Sequence, residues 1–292
     1  MKWYLKSLEF KLKAIRVMLT SDLRYQKRRF REYFGYNPDL ENPKKFNEKV
    51  LSRMLYDHAK IYTLLADKVY AKDFVAEAIG SQYVVPLLGS WLRVRDIPFS
   101  MLPEQFVLKC NHDSGSTLIC SKKRELNVRK AKSRLNFFLG RNMYYARREN
   151  HYKDIVPEIF CETYLDAKGY AKERHYPELY RLHCFHGKVE FIEVDILDKN
   201  KECINIYTPD WTLLDVKVEG DNYRGKVCIP DAFDKLKPLT QMLLSKIGTD
   251  YCRVDWFIVD DKPYFNEFTF TPCAGIMKFN PPVYDDIFGD KW

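Results

Sequence analysis

The sequence predicts a globular protein of mixed helix and strand, α+β or α/β, and three observations predict it. Hydrophobic residues fill 46% of the 292 positions, enough for one large domain or two joined lobes. Helical periodicity governs the chain as far as Ala78, whereas from Phe106 onward runs rich in β-branched and aromatic residues take over. Twenty Tyr, 19 Phe and five Trp against 12 Gly leave much surface to bury, which excludes a disordered chain.

Taken in order, the first element is a helix over residues 2–19. At about 100° per residue, Tyr4, Leu5, Leu8, Leu12, Ile15 and Leu19 fall on one side and Lys2, Lys6, Lys13 and Arg16 on the other. Such a basic amphipathic helix either packs on the body of the protein or lies on an anionic membrane surface, and the pattern leaves both open. Residues 1–31 hold ten Lys or Arg against Glu9 and Asp22, so this segment carries the whole net charge of +8. The rest is close to neutral, which disfavours a nucleic-acid partner bound in a basic groove of the body. A second helical stretch is expected from Phe46 to about Ala78, after turn signals at Asn37-Pro38 and Asn42-Pro43. Strands are expected at 106–111, 159–165, 180–185 and 189–197, with Gly187 turning the last pair into a hairpin, and again within 251–270. Further helices are expected over 128–147 and 232–247. The eight cysteines never form a C-x-x-C pair and mostly sit in apolar runs, as reduced core residues do. With neither a signal-peptide pattern nor an apolar run of about 18 residues, the expected compartment is the cytoplasm, with the basic helix free to touch the inner face of the cytoplasmic membrane.

Two stretches carry chemistry. Residues 251–270 read as a hairpin with its turn at Asp260 to Lys262. A three-residue loop centred on Asp261 sets Asp255 opposite Glu267 and Arg253 opposite Thr269 on one face, leaving Val254, Trp256, Ile258, Tyr264, Phe268 and Phe270 for the other. Carboxylates opposed at about 5 Å repel unless a proton or cation lies between them. Magnesium favours one or two carboxylates completed by phosphate oxygens and water, so the pair suits a magnesium–nucleotide site; a structural pair neutralised by Arg253 is the other reading. In the second stretch, Lys109 stands in the apolar strand Phe106-Val-Leu-Lys109, just before Ser114-Gly115-Ser116. A buried lysine calls for an anion, and a Ser-Gly-Ser loop offers backbone N–H groups to a phosphate; a lysine exposed at a sheet edge is the other reading.

Together these stretches resemble the ATP-grasp superfamily of carboxylate–amine ligases, and within it the TupA-like branch associated with polysaccharide and teichuronopeptide synthesis, over roughly residues 40–290. Asp67-Lys68 with Ala71-Lys72 is similar to the family's first nucleotide-lysine segment, and the Lys109 strand to its second lysine strand with a glycine loop. Ile159-Phe-Cys-Glu162-Thr-Tyr164-Leu165 resembles the hinge strand that binds adenine. Arg253-Val-Asp255 and Asn266-Glu267-Phe-Thr269 resemble the arginine and metal-ligand motif, with Thr269 where the family usually has Asn. Arg181 falls where this branch often carries a lysine near the phosphates. His183 and His186, three apart on a strand, point to opposite faces and read as structural.

The resemblance implies an α+β ATP-grasp fold in which two lobes clamp ATP. It divides the chain into a basic helical segment (1–40), a helical region (41–105), a nucleotide lobe (106–165) and a lobe with the metal site (166–292). It implies ATP and Mg2+ as cofactors and assigns Lys68, Lys109, Ser114, Gly115, Ser116, Glu162, Tyr164, Leu165 and Arg181 to the nucleotide. Arg253 with Lys109 would be catalytic, and Asp255, Glu267 and Thr269 would hold metal. The implied partners are a uronic acid or polysaccharide acceptor and an amino acid or other amine. A phosphotransferase on the same fold is the alternative; a sugar-nucleotide glycosyltransferase would be expected to show an Asp-x-Asp motif, which the chain lacks.

Overall fold

The computed structural model describes residues 2–166, 179–198, 201–225, 227 and 229–292. Among these, the helices are α1 (Lys2–Leu19), α2 (Asp22–Phe34), α3 (Phe46–Tyr56), α4 (Lys60–Ala66), α5 (Lys68–Ile79), α6 (Val128–Leu139), α7 (Met143–Arg147), α8 (Phe233–Ile247) and α9 (Val283–Gly289). The strands are β1 (Leu87–Trp91), β2 (Phe106–Cys110), β3 (Leu118–Cys120), β4 (Ile159–Thr163), β5 (Leu179–Phe185), β6 (Lys188–Asp198), β7 (Lys201–Tyr207), β8 (Lys217–Val218), β9 (Tyr251–Val259), β10 (Lys262–Thr269) and β11 (Phe279–Asn280). Among the described residues no helix is long and apolar enough to cross a membrane.

The chain forms two compact units, Met1–Arg29 with His58–Ala71 and Val85–Tyr164, and Phe30–Asp57 with Lys72–Val84 and Leu165–Trp292. The first is built on an antiparallel sheet in the order β1-β4-β2-β3. Alternation along β2 buries Phe106, Leu108 and Cys110 against Ala131, Leu135 and Phe138 of α6, and turns Val107 and Lys109 to the other face. Asn127 starts α6 by accepting a hydrogen bond from the Lys130 N–H. The segment expected to be one long helix from Phe46 breaks twice. Asp57 ends α3 in an extended conformation, and Asp67 ends α4 while its carboxylate accepts the Val69 N–H at the start of α5.

The second unit carries a five-stranded antiparallel sheet in the order β10-β9-β5-β6-β7. One face is apolar: α8 lies on it through Leu236, Leu239 and Leu243, and Thr240 accepts a hydrogen bond from the buried indole N–H of Trp256 at 3.0 Å. Elsewhere in this unit Phe46, Val50, Leu51 and Met54 of α3 pack with Phe185, Phe191, Tyr251 and Phe288. Asn47, at the start of α3, donates its backbone and side-chain N–H groups to Asp285 of α9 and a further side-chain N–H to the Met277 carbonyl.

The β9–β10 hairpin is tighter than the three-residue loop expected. Val259 pairs with Lys262, leaving Asp260 and Asp261 as a two-residue turn with φ of 49° and 56°. A bulge at Asn266 then adds the missing residue, so Asp255 faces Glu267 and Arg253 faces Thr269 as the longer loop would have given. Between turn and bulge the faces exchange: Phe265, not Tyr264, joins the buried apolar side opposite Trp256.

Candidate active site

In the first unit, Lys109 and Glu162 lie diagonally across β2 and β4, since Val107 pairs with Glu162 and Lys109 with Phe160. That geometry puts their side chains on one face and joins Nζ to Oε2 at 2.7 Å, with both groups largely buried. Sequence reading assigned the two residues separate tasks and did not pair them, because the contact depends on a register 50 residues long that only the sheet supplies. The loop after β2 is anchored from several sides. Ser116 is buried and its hydroxyl accepts the Cys110 N–H at 2.8 Å, whereas Ser114 and Gly115 are exposed, with Gly115 at φ 93°. Arg134 of α6 donates to the carbonyls of Gly115 and Thr117. Lys68, at the first turn of α5, donates to the Asp113 carbonyl at 3.0 Å, and Asn111 donates to Asp67 just before it. Lys68, Lys109, Glu162 and residues 114–116 thus belong to one unit, whose strand β4 runs out at Thr163 just before Tyr164 and Leu165.

In the second unit, a row of charged side chains crosses the polar face of the sheet. Register places Glu267 of β10 beside Asp255 of β9, Asp255 beside Arg181 of β5, and Arg181 beside Glu193 of β6. Arg253 grips Asp255 bidentately, Nε to Oδ1 and Nη2 to Oδ2, both at 2.7 Å. The same guanidinium donates to the Thr269 hydroxyl at 3.1 Å and stands 3.8 Å from Glu267. Arg253 therefore occupies the place where repulsion between opposed carboxylates was expected. Arg181 is held by Glu193 at 3.0 Å and Asp195 at 2.6 Å.

Glu193 and Asp195 are the site residues that sequence reading missed. Their signal is two carboxylates at i and i+2 within the otherwise apolar run from Phe191 to Leu197, so that both share one face. His183, fully buried, sits below them. Its Nε2–H donates to Glu193 at 2.8 Å, its Nδ1 accepts the Tyr251 O–H at 2.9 Å, and its ring stacks on Phe191. Burial lowers the His183 pKa to about 4 in spite of Glu193, so the ring is neutral near pH 7 and these two partners fix its tautomer.

Among the described residues, Asp255, Glu267, Glu193 and Asp195 share this face with Arg181 and Arg253, around a neutral histidine. Burial raises the Asp255 carboxyl, with Arg253 opposing and Glu267 reinforcing that rise. Glu193 is held well below the carboxylate range: burial would raise it, but His183, Arg181 and Arg253 more than offset that. Burial would lower Arg253, yet Asp255, Glu193 and Glu267 hold it charged. Among the described residues no three His, Cys, Asp or Glu side chains converge as a metal cage. The oxygens of Asp255, Glu267 and Thr269 fit a hard divalent cation that takes its remaining ligands from phosphate and water.

The family model described as TupA-like ATPgrasp matches residues 48–292. The chain belongs to the TupA-like ATP-grasp family. It has the ATP-grasp fold, and the extra helices α1 and α2 precede the matched region of this TupA-like chain. Similar solved structures include D-alanine–D-alanine ligase from Bacillus anthracis complexed with ATP, 15% identical over 72% of this chain and 54% of that one, with a TM-score of 0.40. The L-amino acid ligase from Bacillus licheniformis is 12% identical over 82% and 50% of the two chains, with a TM-score of 0.47. The ATP-grasp ligase PsnB, complexed with a phosphomimetic variant of its minimal precursor, Mg and ADP, is 11% identical over 78% and 58%, with a TM-score of 0.44. The chain spans little more than half the length of these proteins. No curated protein matches the chain by sequence.

Proposed function

We propose that the chain is an ATP-dependent carboxylate–amine ligase that works through an acyl phosphate and joins an amino acid to a uronic-acid-containing surface polysaccharide or its precursor. The observation that carries this reading is the row of four carboxylates and two arginines across β10, β9, β5 and β6, set in a TupA-like ATP-grasp chain. Lys68 and Lys109 balance the charge of the nucleotide phosphates, and the exposed Ser114-Gly115 backbone, with Ser116 fixing the loop behind it, supplies N–H donors. The bond from Glu162 holds the Lys109 ammonium in place before the nucleotide arrives. The hinge residues Glu162, Tyr164 and Leu165 are assigned to adenine. Asp255, Glu267 and Thr269 would hold Mg2+, which when bound neutralises phosphate charge.

Arg253, kept rigid by Asp255, stabilises the phosphoryl group in transfer, and Arg181 contributes positive potential from the neighbouring strand. A substrate carboxylate oxygen attacks the γ-phosphorus as the bond to the ADP oxygen breaks. The amine then attacks the acyl carbon, phosphate leaves, and a proton is released with the amide.

The test is ADP release from the full chain across a panel of uronic acids and amino acids supplied separately and together, with products identified by mass spectrometry. The ligase reading expects ADP and amide only when acid and amine are both present. ADP release with the acceptor alone, and phosphate found on that acceptor, would make the protein a phosphotransferase instead.

A further inference from the structure

Helix α1 has two apolar seams, and only one of them is used. Trp3, Ser7, Phe10, Ala14 and Val17, spaced alternately four and three apart, are half-buried. Trp3 stacks on Phe137 and Phe138 of α6 at 5.3 and 5.6 Å, and Phe10 meets Tyr145 of α7 at 6.5 Å. The second seam, Leu5, Leu8, Leu12, Ile15 and Leu19, has the same alternating spacing on the other side of the helix. Its side chains are 58%, 51%, 56%, 55% and 77% exposed. Five adjacent aliphatic side chains in water form a contiguous patch of the kind that marks an interaction surface. The sequence leaves open whether this seam packs on the body or meets a membrane, and the body has taken the opposite face.

The surroundings of the patch say what covers it. Lys6, Lys11 and Lys13 are exposed on the same helix, and Arg24, Lys27 and Arg28 are exposed on α2 beside Leu23, itself 40% exposed. Residues 1–31 carry the whole net charge of +8. We propose that α1, with the cationic side of α2, docks on an anionic phospholipid surface, its Leu5–Leu19 seam set among the acyl chains and its lysines and arginines among the headgroups. An exposed aliphatic stripe on a segment of net charge +8 matches such a surface in both polarity and charge. A second copy of the chain fits less well. Seam-to-seam pairing would press two segments of net charge +8 together, over five seam positions where a coiled coil needs about three or four heptads. The proposal is independent of the ligase reading, because vesicle binding is measured without nucleotide.

The experiment is flotation of the full chain with vesicles of phosphatidylcholine alone and of phosphatidylcholine with phosphatidylglycerol. The wild type should float with the anionic vesicles about tenfold more strongly than with neutral ones, and high salt should abolish the difference. The double variant Leu8→Asp/Leu12→Asp should lose binding by about tenfold or more with an unchanged melting temperature, since both positions are in water. The double variant Lys11→Glu/Lys27→Glu should lose the preference for anionic vesicles. Equal binding to both vesicle types, no binding by the wild type, or undiminished binding by the leucine variant would overturn the proposal. So would a concentration-dependent dimer in sedimentation that disappears in the leucine variant while vesicle binding persists, which would assign the seam to a second copy.

Discussion

At the scale of the residue, the candidate site turns on what stands between two carboxylates. Asp255 and Glu267 face each other across the hairpin, but they are not equivalent. Asp255 is 1% exposed and carries two short bonds from Arg253, whereas the Glu267 side chain is 28% exposed and only 3.8 Å from that guanidinium. Removing one member of a buried, bidentate ion pair costs about 3–5 kcal/mol, because the other charge stays buried. Asp255→Asn is therefore expected to lower stability in urea by about that amount without ligand. Glu267→Gln, at a partly exposed position 3.8 Å from the guanidinium, should change stability by no more than about 1 kcal/mol. Equal losses in the two variants would mean that Arg253 serves both carboxylates alike. The contrast could not be read from the sequence, where the two acids look symmetrical. It depends on Arg253 lying two residues from Asp255 on the same strand, in reach of both its oxygens.

At the scale of the element, α9 is tied to the start of α3 by a titratable group. Asp285 is buried and accepts two N–H bonds from Asn47. Burial raises its pKa to about 6, against the opposing pull of those bonds. The folded protein thus holds this proton more tightly than the unfolded chain does. Stability from this group is fully present below the unfolded value near 4 and is lost as pH rises through about 6. Asp285→Asn keeps an acceptor oxygen and cannot ionise, so it should match the wild type at pH 4 and exceed it at pH 7.5 by at most about 3 kcal/mol. A difference in unfolding free energy that is the same at both pH values would contradict this account.

Elements with a strong local signal were legible: β2, β4, β5, β6 and the β9–β10 hairpin all fall where β-branched and aromatic runs placed them. Strand β1 escaped notice because Leu87-Leu-Gly-Ser-Trp has no β-branched residue, and its register with β4 is made across 70 residues of chain. Helix α2 falls inside the basic helical segment expected over 1–40 but was given no bounds of its own, because its run of Arg, Lys and Gln hides a short buried edge at Gln26 and Phe30. The hairpin register came out correctly at Asp255 and Glu267 only because a shorter turn and a bulge offset each other.

At the scale of the whole molecule, the residues assigned to phosphate and the residues assigned to metal come from different compact units. Lys68 and Lys109 stand in the first, and Arg253, Asp255 and Glu267 in the second. Ion pairs hold Lys109, Arg181 and Arg253 on their strands. The central claim, that Lys109 serves the nucleotide and Glu267 its magnesium, is tested most directly by titrating ATP into the full chain in a calorimeter with magnesium and with chelator. The account predicts binding that requires magnesium, falls by about tenfold or more in Lys109→Met, and loses its magnesium dependence in Glu267→Gln while that variant stays folded. Binding that is indifferent to magnesium, or equal in the wild type and both variants, would contradict it.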